Sequence, residues 1–393
     1  MSAFSALSII FALMMFATPT SGAEGKAIAD GVSTKGRVFA WSPDGTKVAY
    51  VSGTSGVSGV SGVYGGLFVF NTLEKSASRI FAFKPFYINW LDDGRLATLY
   101  FEGNNTMLAM VSADGRNIQR ALMPDGTRAL YEHPLGGGLL IAQDRLQKTN
   151  TSIEVSHRLS IFMPNGNIRE IFSTGHVYAG SSGITPAQVG WMPSGPSPLD
   201  ARMPLLERIE PNDRNSYTKL SLIDPITGGS EEIYRVTSET LPKTGAWSPR
   251  GDRLAISGGE MQLFMLGLDG SLKAVEDSLK GSHPAWSPAG SQLNFGDTVI
   301  DSDGNNFLKL QGAGEIVKSR WRPDGTGLLT LNSNGFLYLF SGIVKPSALK
   351  EDKAHDREAF DKLILLVELY LEGLINKIDY NTRVSKIRQG ADR

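Results

Sequence analysis

Trp41-Ser-Pro-Asp-Gly45, followed by the apolar run Val48-Ala-Tyr-Val-Ser52, is the stretch on which the fold turns. The same turn returns as Trp90-Leu-Asp-Asp-Gly94, Trp191-Met-Pro-Ser-Gly195, Trp247-Ser-Pro-Arg-Gly251, Trp286-Ser-Pro-Ala-Gly290 and Trp321-Arg-Pro-Asp-Gly325, which accounts for all six tryptophans. Proline presets φ at a turn position, and the glycine accepts the left-handed geometry that closes the turn. The acids before the glycine (Asp44, Asp93 and Asp324) suit Asx turns. After the turn come short apolar runs such as LATLYF, LAISG, LNFG and LLTLN, with the length and character of buried strands.

Most units then carry a second hairpin with a D-G, N-G or T-G turn between two strand-like runs, as in MLAMVSADGRNIQRAL and QLFMLGLDGSLKAV. Each unit therefore holds four strands. The interval between Trp90 and Trp191 is about double the others, and a degenerate copy, ALYEHPLGGGLLIA at 129–142, fills it, with Gly136 in the turn and Leu139 opening the next strand. Seven four-stranded units predict an all-β, seven-bladed β-propeller over residues 24–346, with six blades as the alternative. Seven blades leave about 46 residues each and six about 54, against a usual span of about 40–50. The last unit lacks a fourth strand, and Lys26–Gly31 is placed to supply it and close the ring.

The W-S-P-D-G turn with its trailing apolar strand resembles the WD40-like PD40 repeat of TolB-type propellers, over roughly residues 36–341. The resemblance implies the propeller fold and, as one option, a role in envelope assembly. Two features depart from the TolB pattern: no α/β domain precedes the first unit, and the chain continues past the last one.

The ends carry other signals. ALSIIFALMMFA at 6–17, then TPTSGA with small Ser21 and Ala23, reads as a signal peptide over 1–23, predicting a periplasmic or secreted protein cleaved near Ala23. Beyond the propeller, Phe360, Leu363, Val367, Tyr370, Leu374 and Ile378 recur at three- and four-residue steps, predicting an amphipathic helix over 347–378 and a frayed tail over 379–393. Its apolar surface exceeds what one docking face needs, which points either to full packing on the propeller or to a protein partner. No transmembrane span is expected in the mature chain, because Glu368 and Glu372 interrupt a run already short of about 20 residues.

The chain has 39 basic and 40 acidic residues, a formal charge of −1 and no cysteine. That balance excludes a nucleic-acid binder of the ordinary basic kind, and the missing thiols exclude disulfides and cysteine chemistry. No G-x-S-x-G elbow, P-loop or HExxH is found, and no cofactor is expected. Candidate binding residues are those whose register aims them at a central channel mouth. His283, Gln188 and Lys318 each stand three residues before a tryptophan, and His133 stands in the degenerate unit. Arg37, Lys243 and Lys318 add positive charge there, which favours an acidic ligand or a solvated rim. The leading expectation is a non-catalytic binding or scaffold protein. A metal-assisted lyase or hydrolase using His133 and His283 on an acidic sugar is the alternative, although no complete metal-ligand set is legible. Residues 52–66, with Ser-Gly-Val three times over, predict a blade-one loop, and 193–216 predicts an ordered excursion around the strand MPLLERI lying over one propeller face.

Overall fold

A tight turn after each tryptophan forces the next apolar run back alongside the last, so antiparallel sheets of sequential strands are the expected local product. A computed structural model shows that outcome. It describes residues 23–343 and 382–383, apart from 54–64, 134–137, 164, 180–188, 210–216, 238–243, 258–261, 276–278, 280, 282 and 303–306.

Seven sheets follow one another along the chain, which excludes the six-bladed arrangement. Blade 1 is Phe39–Trp41, Lys47–Ser52, Gly66–Asn71 and Ser76–Phe81. Blade 2 is Tyr87–Trp90, Leu96–Glu102, Asn105–Val111 and Ile118–Leu122. Blade 3 is Thr127–Glu132, Leu139–Lys148, Ser152–Phe162 and Ile168–Ala179. Blade 4 is Gly190–Trp191, Met203–Ile209, Tyr217–Ile223 and Ser230–Val236. Blade 5 is Thr244–Trp247, Arg253–Ser257, Leu263–Gly267 and Leu272–Ala274. Blade 6 is Ala285–Trp286, Gln292–Phe295, Thr298–Asp301 and Phe307–Gln311. Blade 7 takes Ile316–Trp321, Gly327–Asn332 and Leu337–Ser341 from the end of the propeller and Lys26–Ala29 from its start. That last strand runs antiparallel to Leu337–Ser341, so both ends of the chain share one sheet, as expected. Ala23–Glu24 also adds a short parallel strand to the outer edge of blade 6, pairing with Leu310 and Gln311. No motif at residues 23–24 marks this strand in advance.

The tryptophans fix each blade to the one before it. All six are buried. The indole N–H of Trp90 donates to the Ala40 carbonyl of blade 1 at 3.1 Å, Trp286 to Ala246 of blade 5 at 3.2 Å, Trp321 to Ala285 of blade 6 at 2.9 Å and Trp41 to Arg320 of blade 7 at 3.3 Å. Trp191 reaches the Gln143 carbonyl and Trp247 the Gly195 carbonyl, both at 3.1 Å. Blade 3 has no tryptophan. There the Tyr87 hydroxyl of blade 2 donates to the Leu130 carbonyl across the same kind of boundary. The apolar core is correspondingly divided into layers between blades: Met192, Leu206 and Leu220 of blade 4 pack with Trp247 and Leu254 of blade 5, and Ala255 and Leu263 of blade 5 with Trp286 and Leu293 of blade 6.

The turn glycines 45, 94, 195, 251, 290 and 325 all have φ between 67° and 79°, which explains why every copy ends in glycine. The Asx reading of the acids holds. Asp44 accepts from Ser42 Oγ at 2.6 Å and from the Thr46 backbone N–H at 3.0 Å, and these bonds hold its carboxyl down at about 2.

Three expectations need correction or lie elsewhere. Segment 193–216 is not one excursion over a single face, because Met203–Ile209 crosses the blade as its second strand. Residues 193–202 therefore sit at the turn end of blade 4, and the strand Met203–Ile209 carries the chain to the opposite end. Blade 3 is also longer than the repeat demands, with strands of 10, 11 and 12 residues. The predicted helix 347–378, with Phe360, Leu363, Val367, Tyr370, Leu374 and Ile378, lies outside the described residues, as does 1–22 of the predicted signal peptide. Helical backbone among the described residues is confined to Thr382 and Arg383.

Trp90→Phe keeps most of the buried ring area and removes only the indole's bond to the Ala40 carbonyl, which still faces the Ala49 N–H in its own sheet. The expected loss is about 0.5–1.5 kcal/mol, against about 3–5 kcal/mol for Trp90→Ala, which also opens a cavity. Thermal unfolding of the two variants checks the order. Equal, negligible losses would show that the indole does not tie the blades together.

Candidate functional site

The first strand of every blade lines the axis, and these strands all begin at one end of the channel. Backbone contacts between neighbouring first strands confirm the arrangement: Arg37 N–H donates to the Phe86 carbonyl at 3.1 Å and Ile88 N–H to the Arg37 carbonyl at 2.9 Å. Because strands alternate, residues one and three before each tryptophan share a face. Those positions hold Val38 and Ala40, Tyr87 and Asn89, His283 and Ala285, Lys318 and Arg320.

The result is a cavity of about 400 Å³ at the end where the strands begin, reached by all seven blades. Its cations are Arg37, Arg128, Lys318 and Arg320, and among the described residues no carboxylate lines it. Arg37 is held in place: its guanidinium donates to the Tyr87 hydroxyl at 3.2 Å and to Asn89 Oδ1 at 2.7 Å. Lys318 Nζ donates to the Thr34 carbonyl at 2.6 Å and the Gly36 carbonyl at 2.5 Å. The Arg320 guanidinium has neither a hydrogen bond nor an ion pair with any described residue, and Arg128 is exposed. Phe39, Ala129, Trp191, Pro193 and Pro284 give the same cavity apolar walls.

Burial and crowding of like charge show in the titration of these groups. Burial, with Arg320 adding repulsion, lowers Lys318 to about 8. Burial, then Arg37, lowers Arg320 to about 10. Burial, then Lys318 and Arg320, lowers His283 to about 4, so its imidazole is neutral at pH 7. His283 has φ of 55°, a left-handed conformation that is uncommon for a side chain of this size. Its backbone N–H donates to Thr244 Oγ1 of blade 5 at 3.2 Å, which holds the strained residue at the mouth.

The expected site thus assembles only in part. His283 and Lys318 line the cavity together. His133 does not. Glu132 pairs with Leu139 as Trp41, Trp90, Trp247, Trp286 and Trp321 pair with the first apolar residue of the next strand, so Glu132 takes the tryptophan position and His133 lies one residue past the strand. It lines a separate groove of about 610 Å³ with Leu91, Arg120, Glu132 and Phe162, and its imidazole is also lowered to about 4, chiefly by burial. Gln188 and Lys243 lie outside the described residues. The sequence reading missed Arg128, Arg320, Tyr87 and Tyr131. Arg320 had a visible signal, standing directly before Trp321 where most copies have a small residue. No group of three or more His, Asp or Glu among the described residues is arranged to hold a metal ion, and the two histidines of the lyase alternative open into different cavities.

A second polar assembly supports the long blade 3. Glu207 of blade 4, with a side chain only 3% exposed, accepts from His176 Nε2 at 2.8 Å and Lys219 Nζ at 3.0 Å. Burial pushes its carboxyl up, but these two donors outweigh that and hold it below the usual carboxylate range. His157 Nδ1 meets Asp144 Oδ1 at 2.7 Å within blade 3. Tyr178 donates to the Arg208 carbonyl at 2.5 Å, and Ile153, Val155, Tyr178 and Val189 form a small separate core. These contacts fasten the outer strand of blade 3 to blade 4.

Solved structures share the architecture. A chain of the crystal structure titled Mitotic Checkpoint Complex aligns with a TM-score of 0.51 and 15% identity, covering 81% of this chain and 94% of that one. The β-propeller domain of Myceliophteria thermophila Cps50 (Swd1) aligns with a TM-score of 0.52 and 12% identity, covering 81% and 99%. At these identities the likeness establishes the fold, a seven-bladed WD40-like propeller, and nothing finer. No protein-family model and no curated protein sequence matches the chain.

The neutral His283 makes acid costly to the fold. The unfolded chain binds its proton near pH 6.5 and the folded one only near 4, so stability falls as pH drops through that window. The contribution is on the order of 2 kcal/mol for a half-buried ring. His283→Asn, which tolerates the left-handed backbone, is expected to flatten the fall in melting temperature between pH 6.5 and 4. An unchanged slope would show that His283 is already solvated.

Proposed function

We propose that this chain is an exported, non-catalytic scaffold that binds a protein partner on the face where the first strands begin. The observation that carries the reading is that the extension of blade 3 and the cationic channel lie at that end, residues 193–202 being the irregular segment at the other. Thr127, at the start of its strand, pairs with Gln143, so Asp144–Lys148 and the strand segments paired with them stand beyond the body of blade 3. The strands flanking 54–64 and 210–216 also end on this face. The cationic channel opens there too. A rigid ring with one elaborated face is suited to holding a partner, since little ordering entropy is lost on binding.

Two further points support export and partnership. The closing strand Lys26–Ala29 starts just beyond the expected cleavage near Ala23, so processing leaves the ring intact. The W-S-P-D-G repeat resembles that of TolB-type propellers, which keeps an envelope role as the finer version of the proposal. The amphipathic 347–378 segment is the second contact we assign to the partner. No helix among the described residues is long and apolar enough to cross a membrane.

Two measurements test the reading. The amino terminus of protein recovered from its native host is expected near Glu24; a retained Met1 would remove the export claim. Replacing the exposed Arg145, Gln147, Lys148 and Glu154 of the extension by Ser, which leaves the buried Ile153 and Val155 in place, should weaken partner capture at least tenfold while the melting temperature moves little. Capture undiminished by that change, and by truncation after Ile343, would place the partner on another surface or show that there is none.

A further inference from the structure

We infer that the channel mouth is a binding site for a small organic oxyanion, a carboxylate or phosphate ester on a carbon body. The charge there is local: the whole chain carries −1, yet four cations converge on one cavity that no described carboxylate lines. Such a concentration of like charge opposes folding unless something offsets it, and buried charges are ordinarily paired.

The four are not equivalent. Arg37 and Lys318 are fixed by hydrogen bonds to neutral groups, so they hold charge at the mouth without neutralising it. Arg320, partly buried and without a described partner, keeps its full planar set of donors for a ligand. Arg128 stands exposed at the rim, placed to draw an anion in. A bare inorganic ion would leave the other walls unused. Phe39, Trp191 and Pro284 offer apolar surface beside the cations, which matches a ligand with carbon as well as charge. The volume, about 400 Å³, suits a metabolite-sized molecule.

The test uses the chain without residues 1–23, at constant ionic strength, titrated calorimetrically with citrate, glycerol 2-phosphate, inorganic phosphate and sodium chloride. Saturable binding of citrate or glycerol 2-phosphate is expected, and the tighter of the two identifies the carboxylate or the phosphate ester as the preferred group. Arg320→Gln should weaken it about tenfold or more. Arg128→Gln, an exposed change that leaves the fold alone, should weaken it about threefold. Heats no greater than those of sodium chloride would overturn the site. So would affinity unchanged in Arg128→Gln together with either unchanged affinity in Arg320→Gln or failure of that variant to fold. Inorganic phosphate binding as tightly as both organic anions would overturn the role given to the apolar walls.

Discussion

An indole N–H bound to the backbone of the preceding blade is the contact on which the ring depends. A sheet with two apolar faces must be covered on both, and a circle of blades does this without a separate layer. Each tryptophan supplies a large buried surface and one donor, and places that donor on a backbone carbonyl of the neighbouring blade, so the buried indole N–H is paired across the boundary. Because the contact always runs to a neighbour, it propagates around the circle, and the bond from Trp41 to Arg320 joins the first blade to the last. The strand Lys26–Ala29 completes that junction by placing the two ends of the propeller in one sheet.

The same constraint produces the site. Seven first strands brought to one axis must present alternate residues to a common space, whatever those residues are. In blades 6 and 7 the positions include His283, Lys318 and Arg320, groups that need water or a counter-charge, and burial, with crowding of like charge, lowers the proton affinity of His283 and Lys318. Arg320 shows how closely structure and site are joined. Its carbonyl receives the Trp41 indole while its guanidinium stands in the channel. One residue thereby closes the ring and charges its mouth.

Blade 3 departs most from the repeat, and it departs in a coordinated way. It has no tryptophan, its strands are the longest, and its outer strand is fastened to blade 4 by Glu207, His176 and Lys219 rather than by apolar packing alone. A buried carboxylate held by two donors is costly to break, which gives the extension a fixed position relative to blade 4. That rigidity distinguishes the hairpin from an incidental long loop.

The seven-fold architecture, the turn chemistry and the closing strand were all written in local order: tryptophan, proline and glycine at fixed spacing dictate turns whatever surrounds them, and the apolar runs dictate strands. His283 and Lys318 were legible as channel residues for the same reason, since they keep register with an intact tryptophan. His133 was misplaced because its blade lacks that marker, and a shift of register moves a residue from the axis to a groove between blades. The single cavity shared by Arg37, Arg128 and Arg320 had to await the tertiary structure. Those residues are separated by nearly the whole chain, and only closure of the ring, which depends on packing between blades rather than on any local pattern, brings their charges to one point.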